Sequence, residues 1–472
     1  MVAGLCLHVM ASGAIVQNHA RDPSSGFHTT SDVHLNTSAD SNPLLNLLTN
    51  SLVLHQTIPY LPISSLLNLA AVSPSFRDLL LYRTPGVFRH LDLTRIKIGH
   101  GSEVWPSVHL DESITEDDFY SGPLRRVFQN IRRRDILHSV QTLVLDGLSV
   151  TAEFCNEILV DPTLRVRILS IRDVKNLNER KLMQSLRYAC RLSRPEDTPR
   201  LKALYVFGPK DAPALPTPPL IARQHGAARR GANISIGWNH KSQHALNASI
   251  QSKGDDWYHR KGRMIGKHIA EPWAETLLDC REVIKFDAVL CTSPRHQNSS
   301  AFGKVPVTPR GGAGSGTERP WSVATFALGG CASCGTAPEG FTVYGESPPE
   351  DLPLLAPVPL HSSTIKAATC PKPDPGSEGP HKFIPRCLEC IRERYCFSCD
   401  QWWCEACYQV PSRQELSGQL VHIVGQINGV AEHVESIAVE LSNVKVRKGY
   451  CLDCYPTSAE PKLASRHLLL PP

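Results

Sequence analysis

Hydrophobic positions along the chain change their spacing twice. From 43 to 94 apolar residues, mainly leucine, recur at near-helical intervals, with breaks at Tyr60-Leu61-Pro62 and at Ser73-Pro74. This pattern predicts a compact module of short helices. A module of this size buries little apolar surface, so we expect it to lean on a neighbouring domain or a partner protein.

Between 138 and 208 the spacing becomes strand-like. Strands are predicted at 140–145, 166–171 and 201–206, with helices at 152–159 and 178–190, and a weaker strand–helix copy follows at 273–290. Repeated units of this kind favour a leucine-rich-repeat-like solenoid, in which each unit packs only on its neighbours. An ordinary α/β domain is the alternative.

The predicted fold class is therefore α+β and multidomain. We expect a disordered arm (1–42), a helical module (43–94), a leucine-rich-repeat-like domain (95–291) with a flexible, basic insertion at about 209–265, a linker (292–321), a cysteine-rich domain (322–456) with one long helix at about 414–446, and a tail (457–472).

Composition excludes several classes of protein. No stretch approaches the roughly 20 apolar residues of a membrane-spanning helix, so none is predicted. The first 16 residues carry no Lys or Arg, so no secretory signal is predicted either. The net charge of +5 is too small and too diffuse to indicate a nucleic-acid footprint by itself. We expect a reducing compartment, the cytoplasm or the nucleus.

Cysteine spacing is the strongest chemical signal. Of 16 cysteines, ten form five Cys-x2-Cys pairs: Cys331/Cys334, Cys387/Cys390, Cys396/Cys399, Cys404/Cys407 and Cys451/Cys454. Two thiolates separated by two residues can turn onto one ion and supply half of a tetrahedral zinc site. The pairs therefore predict bound Zn²⁺.

The pairing of these half-sites follows from chain length. Only four residues separate Cys399 from Cys404, so adjacent pairs would have difficulty wrapping one ion, and alternate pairs are preferred. We expect one zinc at Cys387, Cys390, Cys404 and Cys407 and another at Cys396, Cys399, Cys451 and Cys454, an interleaving that resembles the cross-brace of RING, FYVE and ZZ-type fingers. A third ion would use Cys331 and Cys334 with Cys370 and His361 or His381. Cys6, Cys155, Cys190, Cys280 and Cys291 are expected to be buried or unpaired thiols.

Between Cys407 and Cys451 apolar residues are spaced alternately by four and three positions, from Leu416 to Val444. This heptad pattern predicts a helix over 414–446. It would pack against its own chain or, alternatively, mediate self-association.

The helical module resembles an F-box. The stretch from Leu52 to Pro62 looks like the first F-box helix with its closing Leu-Pro, and 66–79 follows the core pattern with Phe76 at the usual Trp position. Asn50 and Pro59 depart from the family. The resemblance implies docking on the Skp adaptor of a cullin complex through an apolar surface that comprises Leu52, Val53, Ile58, Leu61, Pro62, Leu66, Leu69, Val72 and Phe76.

An F-box followed by leucine-rich-repeat-like units is typical of substrate receptors in SCF ubiquitin ligases, and the segment 392–404 is similar to the tails of fungal F-box proteins. Such a receptor needs no catalytic residue, because it raises the local concentration of a substrate, here of unknown identity. No nucleophile elbow or phosphate loop is present.

Two alternatives remain open from the sequence. The cysteine-rich domain could itself act as a RING-like ubiquitin ligase. The zinc module and the basic insertion could instead bind chromatin or nucleic acid, with an affinity that falls steeply as salt rises.

Overall fold

The architecture was obtained from a computed structural model, which describes residues 42–96, 115–211, 262–307, 319–370, 382–410 and 444–455. Among these residues, no helix is both long enough and apolar enough to cross a membrane. The predicted arm, tail and most of the insertion lie outside the described residues.

The amino-terminal part is a cluster of short helices: α1 Pro43–Thr49, α2 Ser51–Thr57, α3 Ile63–Val72 and α4 Pro74–Arg77, with a 3₁₀ turn at Ile58–Tyr60 and a π-helical turn at Asp78–Arg83. Asn50, which departs from the F-box pattern, caps α2: its Oδ1 accepts hydrogen bonds from the backbone N–H groups of Leu52 and Val53. Asparagine is among the best residues for this position.

A five-stranded parallel sheet follows, and its strands lie side by side in chain order: β1 His90–Asp92, β2 Thr142–Val144, β3 Ile168–Ser170, β4 Ala203–Tyr205 and β6 Lys285–Phe286. Leu143, Leu169 and Leu204 occupy the same register position of successive strands. The predicted strands therefore occur where expected, although each pairs over only two or three residues. Strand β1 had no counterpart in the sequence analysis.

Helices connect the strands: α5 Glu116–Arg133, α6 Ala152–Val160, α7 Glu179–Ala189 and α8 Pro272–Cys280. They pack in sequence against one another, α6 on α7 and α7 on α8. The central strand leucines and the inner faces of these helices share one apolar core, which also contains Leu54, Leu66 and Phe76 of the helical module. The predicted boundary at residue 94 therefore does not divide the core.

Buried carboxylates close the ends of the strands. Asp287 is fully buried and accepts hydrogen bonds from the backbone N–H groups of Val206, Phe207 and Gly208 at 2.8–3.1 Å. The carboxylate of Asp146 faces the buried guanidinium of Arg172 at 2.7 Å. These bonds satisfy polar groups that a short strand leaves unpaired.

The opposite face of the parallel sheet is covered by the chain itself. Leu354, Val358 and Ala368 pack against Val144, Ile168, Ala203 and Tyr205. The Tyr205 hydroxyl donates to the carbonyl of Ala356 at 3.0 Å. A segment running from a 3₁₀ turn at Pro349–Asp351 to helix α9 Ile365–Thr369 thus seals this face.

A second, antiparallel sheet has the order β5 Gly262–Arg263, β7 Phe326–Leu328, β9 Lys382–Arg386, β8 Thr342–Val343. Short helix α10 Leu388–Ile391 follows β9, and β10 Val446–Arg447 forms a hairpin with β11 Tyr450–Cys451. We call residues 326–337, 391–410 and 444–455 the cysteine lobe, because they share a small separate core.

One sequence prediction needs correction here, and a second lies almost entirely outside the described residues. Residues 292–307, assigned to a linker, belong to the folded body, and Ser293 and His296 are buried there. The rest of that predicted linker, as far as 318, is outside the described residues. The predicted helix at 414–446 also lies outside them except for 444–446, where Val446 starts strand β10 instead of ending a helix.

Candidate metal centres

Among the described residues, three groups of side chains are arranged so that they could hold a metal ion. Within each group the four ligand atoms all lie within 4.8 Å of one another. Tetrahedral zinc with Zn–S bonds of about 2.3 Å requires sulfurs about 3.8 Å apart, so this spacing fits. The groups are Cys291, His296, Cys387 and Cys390; Cys331, Cys334, Cys404 and Cys407; and Cys396, Cys399, Cys451 and Cys454.

The Cys₃His group is buried throughout. Nε2 of His296 lies 3.5 Å from Sγ of Cys387 and 3.2 Å from Sγ of Cys390. Nδ1 of the same ring lies 3.1 Å from the carbonyl oxygen of Arg319. Because a carbonyl only accepts, Nδ1 donates to it, and Nε2 faces the sulfurs as the ring nitrogen that could ligate a metal ion. This is the usual orientation of a metal-ligating histidine.

Electrostatics in this group favour a cation. Burial lowers the pKa of His296, but its contacts with the thiols of Cys387 and Cys390 raise the pKa to about 10. The same pocket holds the pKa of Cys390 well below the ordinary thiol value, through hydrogen bonds with Cys291 and Cys387. Thiolates that stabilise a proton on imidazole also stabilise a divalent ion in its place.

Buried ion pairs fix this group against its neighbour. Arg386, which precedes Cys387, contacts the Glu339 carboxylate, and its Nη2 lies 3.7 Å from Oε2 of Glu405. Ser293, between the ligands Cys291 and His296, donates its hydroxyl to Oε1 of Glu405 at 2.9 Å. Since Glu405 follows Cys404, these bonds join the Cys₃His group to the next one.

The group around Cys331 is built from two turns. Sγ of Cys331 accepts backbone hydrogen bonds from Ser333 at 3.4 Å and from Cys404 at 3.2 Å. Such N–H···S bonds favour the thiolate form that a metal requires. Gly330 is needed here, because a Cβ at that position would lie 2.1 Å from the carbonyl oxygen of Gly335.

The group around Cys396 is closed by a hairpin. Strands β10 and β11 are joined by Lys448 and Gly449, both with positive φ, as in a type I′ turn. The Gly449 carbonyl accepts a hydrogen bond from the backbone of Phe397 at 2.9 Å, which brings Cys451 to Cys399. Burial raises the pKa of Cys396, but backbone N–H groups, including those of Cys451 and Cys399, lower it to about 7.

The structure corrects part of the expected pairing. The set Cys396, Cys399, Cys451 and Cys454 comes together as expected, but Cys404 and Cys407 join Cys331 and Cys334 instead of Cys387 and Cys390. The interleaving of pairs along the chain remains. The short gaps between neighbouring pairs predict that alternate pairs share an ion, but they do not specify which earlier pair meets Cys404 and Cys407.

The expected third set does not assemble. His361 contacts the ring of Tyr60, and Cys370 lies near Tyr344. His381 is outside the described residues. Cys291, expected to be a simple buried thiol, and His296, which the sequence analysis missed, are ligand positions. Their Cys-x4-His spacing was the only local signal, and it is a weak one.

Comparisons with known proteins add no family. This chain matches no family model, no curated protein and no solved structure.

The expected F-box contact residues divide into three groups by exposure. Ile58, Leu66 and Phe76 are buried in the main core and cannot contact a partner. Val53, Leu61, Pro62 and Leu69 are half-buried. Leu52 and Val72 are 77% and 69% exposed.

The exposed apolar side chains of the helical module form a larger set than expected. Of the fourteen large hydrophobic side chains exposed among the described residues, six lie between 43 and 83: Leu44, Leu47, Leu52, Tyr60, Val72 and Tyr82. We call these six the amino-terminal apolar surface. A concentration of exposed apolar side chains in one small module favours a role in protein interaction, although Tyr60 also contacts the ring of His361.

Proposed function

We propose that this chain is the non-catalytic substrate-recognition subunit of a Skp–cullin ubiquitin ligase, and that it folds around three zinc ions. The observation that carries the docking proposal is the amino-terminal apolar surface on a module whose sequence resembles an F-box. The module that carries these exposed residues is anchored in the main core by Leu54, Leu66 and Phe76.

Zinc is the ion that suits the donor set. Two groups offer four sulfurs each and one offers three sulfurs and an imidazole nitrogen. Soft sulfur ligands in fours are typical of structural zinc, whereas a catalytic zinc keeps one position open for water. The role of the ions is therefore to hold the fold. Metal analysis of protein purified without chelator should give three zinc ions per chain, and a count near zero would refute the assignment.

Substrate recognition is assigned to a surface other than the sheet. In a solenoid the exposed sheet face is the natural place for a ligand, but here residues 352–369 cover it with their own apolar side chains. The outer helix faces and the cysteine lobe remain available. A Tyr205→Phe variant tests this point. It loses only the hydrogen bond to the Ala356 carbonyl, on the covered face of the sheet, and it should bind the same proteins as the parent chain.

Docking is tested with charge substitutions in the full chain. Leu52→Asp and Val72→Asp together should abolish stoichiometric co-purification with the Skp adaptor, because a carboxylate would have to be desolvated at the interface. The matched control is Leu192→Asp in the strand–helix region, where the side chain is 99% exposed and outside the helical module in sequence. Equal binding by the double variant and the parent chain would refute the proposal.

A second candidate function is ubiquitin transfer by the cysteine lobe itself. It is supported by the order of the pairs, since Cys331/Cys334 and Cys404/Cys407 alternate along the chain with Cys396/Cys399 and Cys451/Cys454, as in a cross-brace. Ubiquitin transfer by the full chain with a conjugating enzyme, in the absence of Skp and cullin, would favour this candidate over the adaptor.

A further inference from the structure

The three candidate metal centres differ in how far solvent reaches their sulfurs. All four ligands of the Cys₃His group are buried. Each Cys₄ group instead has one exposed cysteine, Cys334 or Cys399, and one half-buried cysteine, Cys407 or Cys454. A dissolved reagent can therefore reach two of the three centres without any opening of the fold.

The exposed sulfur of each Cys₄ group lies next to a buried one. Sγ of Cys334 is 3.7 Å from Sγ of Cys404, and Sγ of Cys399 is 3.7 Å from Sγ of Cys451. Each contact joins two different Cys-x2-Cys turns. A disulfide formed there would replace the metal as the link between the two turns, although its sulfurs must approach to about 2.05 Å.

We propose that Cys334 and Cys399 are oxidation sites at which a peroxide converts the two Cys₄ centres to disulfides and releases their zinc, while the Cys₃His centre keeps its ion. The proposal rests on the zinc binding put forward under Proposed function. Reactivity follows from thiolate character combined with exposure, and metal-bound sulfur at the surface has both.

The reaction balances with hydrogen peroxide as the oxidant. The exposed thiolate attacks one peroxide oxygen, the O–O bond breaks, and a sulfenic acid and hydroxide form. The neighbouring thiolate then attacks the sulfenic sulfur, which forms the S–S bond and expels a second hydroxide. Two sulfurs lose two electrons in all and the peroxide gains them. Zinc leaves as Zn²⁺, and the two remaining thiolates take up protons.

The Cys₃His centre is protected by its surroundings as well as by burial. Cys387 and Cys390 belong to the main apolar core, and His296 is held from outside by the Arg319 carbonyl. The buried ion pair of Arg386 with Glu339, which belongs to neither Cys₄ group, keeps β9 in place beside this group. Release of the other two ions therefore leaves this centre intact.

The test uses the full-length zinc protein with graded hydrogen peroxide. Released zinc is followed with a chromophoric chelator, and disulfides are mapped by mass spectrometry of peptides. We expect loss of the two ions of the Cys₄ groups and cross-linked peptides that contain Cys334 with Cys404 and Cys399 with Cys451.

Histidine replacements separate oxidation from simple loss of fold. Cys334→His and Cys399→His remove the exposed sulfur but leave a Cys₃His ligand set, which the chain already uses at its third centre. Each variant should retain the zinc of its own centre in peroxide and lose the other. Cys370→Ser, at an exposed cysteine outside the three groups, should release zinc as the parent chain does.

The outcomes distinguish this inference from the proposed function. A chain isolated without zinc would overturn the metal assignment together with the inference. Two results would overturn the inference alone. One is release of all three zinc ions at the same rate. The other is peroxide-driven loss of zinc from the substituted centre of a His variant that had bound zinc before treatment. Skp co-purification is measured separately and does not depend on either result.

Discussion

The parallel-sheet region and the cysteine lobe meet the same requirement for a core in different ways. The sheet region shares a large apolar core with the helical module, filled by in-register strand leucines and helix faces. The core of the cysteine lobe has fourteen buried residues, counting Ile384 of β9, and four of them are candidate metal ligands: Cys331, Cys396, Cys404 and Cys451. A core that small cannot offset the loss of chain entropy, and the proposed metal ligation would supply the difference.

Removal of metal should produce the largest difference between the two regions. A structural zinc ion contributes on the order of 10 kcal/mol to folding, so a strong chelator should unfold the cysteine lobe and leave the parallel sheet folded. Peptide-resolved hydrogen exchange with and without chelator measures this. Protection should be lost at 391–410 and kept at 142–205, and equal loss in both regions would contradict the comparison.

Loss of a buried charge should damage the sheet region without touching the metals. Arg172→Ala leaves the buried carboxylate of Asp146 without its cation, and burial already raises the pKa of Asp146. Breaking a buried pair costs about 3–5 kcal/mol. Denaturant unfolding should show this loss at an unchanged zinc content. Lys181→Ala, which breaks an exposed pair with Glu153, is the control and should change stability by less than about 1 kcal/mol.

A cavity in the main core should give a slightly smaller effect. Leu204 is fully buried at the centre of the sheet, and Leu204→Ala should lower the free energy of unfolding by about 2–5 kcal/mol. Leu192→Ala, at a nearly fully exposed position, should change it by less than about 0.5 kcal/mol. If chelation alone lowered the stability of the sheet region as much as Leu204→Ala does, the two regions would not be independent in the way proposed.

The smallest expected effect is a pH dependence of the sheet region. Burial lowers the pKa of His90 below its ordinary value of 6.5, against the raising effect of Asp92. As pH falls below 6.5, His90 therefore binds a proton more readily in the unfolded chain than in the folded chain, and the free energy of unfolding declines. His90→Gln should remove this part of the decline between pH 7 and pH 5. An unchanged pH profile of unfolding would show that His90 does not contribute.

Local patterns in the sequence predicted the local structure well. The positions of β2, β3 and β4 and of helices α6, α7 and α8 follow from spacing of apolar residues, because alternation and helical periods are properties of neighbouring positions. Strand β1 and helix α5 were not anticipated. The sequence also did not predict that residues 352–369 cover the sheet, because nothing local in that segment indicates what it packs against.

The sequence alone determined that five Cys-x2-Cys turns could each supply half of a metal site, because two residues of spacing suffice to aim both sulfurs at one point. Tertiary structure decided which turns meet. Cys291 and His296 reach Cys387 and Cys390 across about 90 residues, since Cys291 follows the last strand of one sheet and Cys387 follows β9 of the other. Ligation is a local property of residue type and spacing, whereas the choice of partner depends on how distant strands pack.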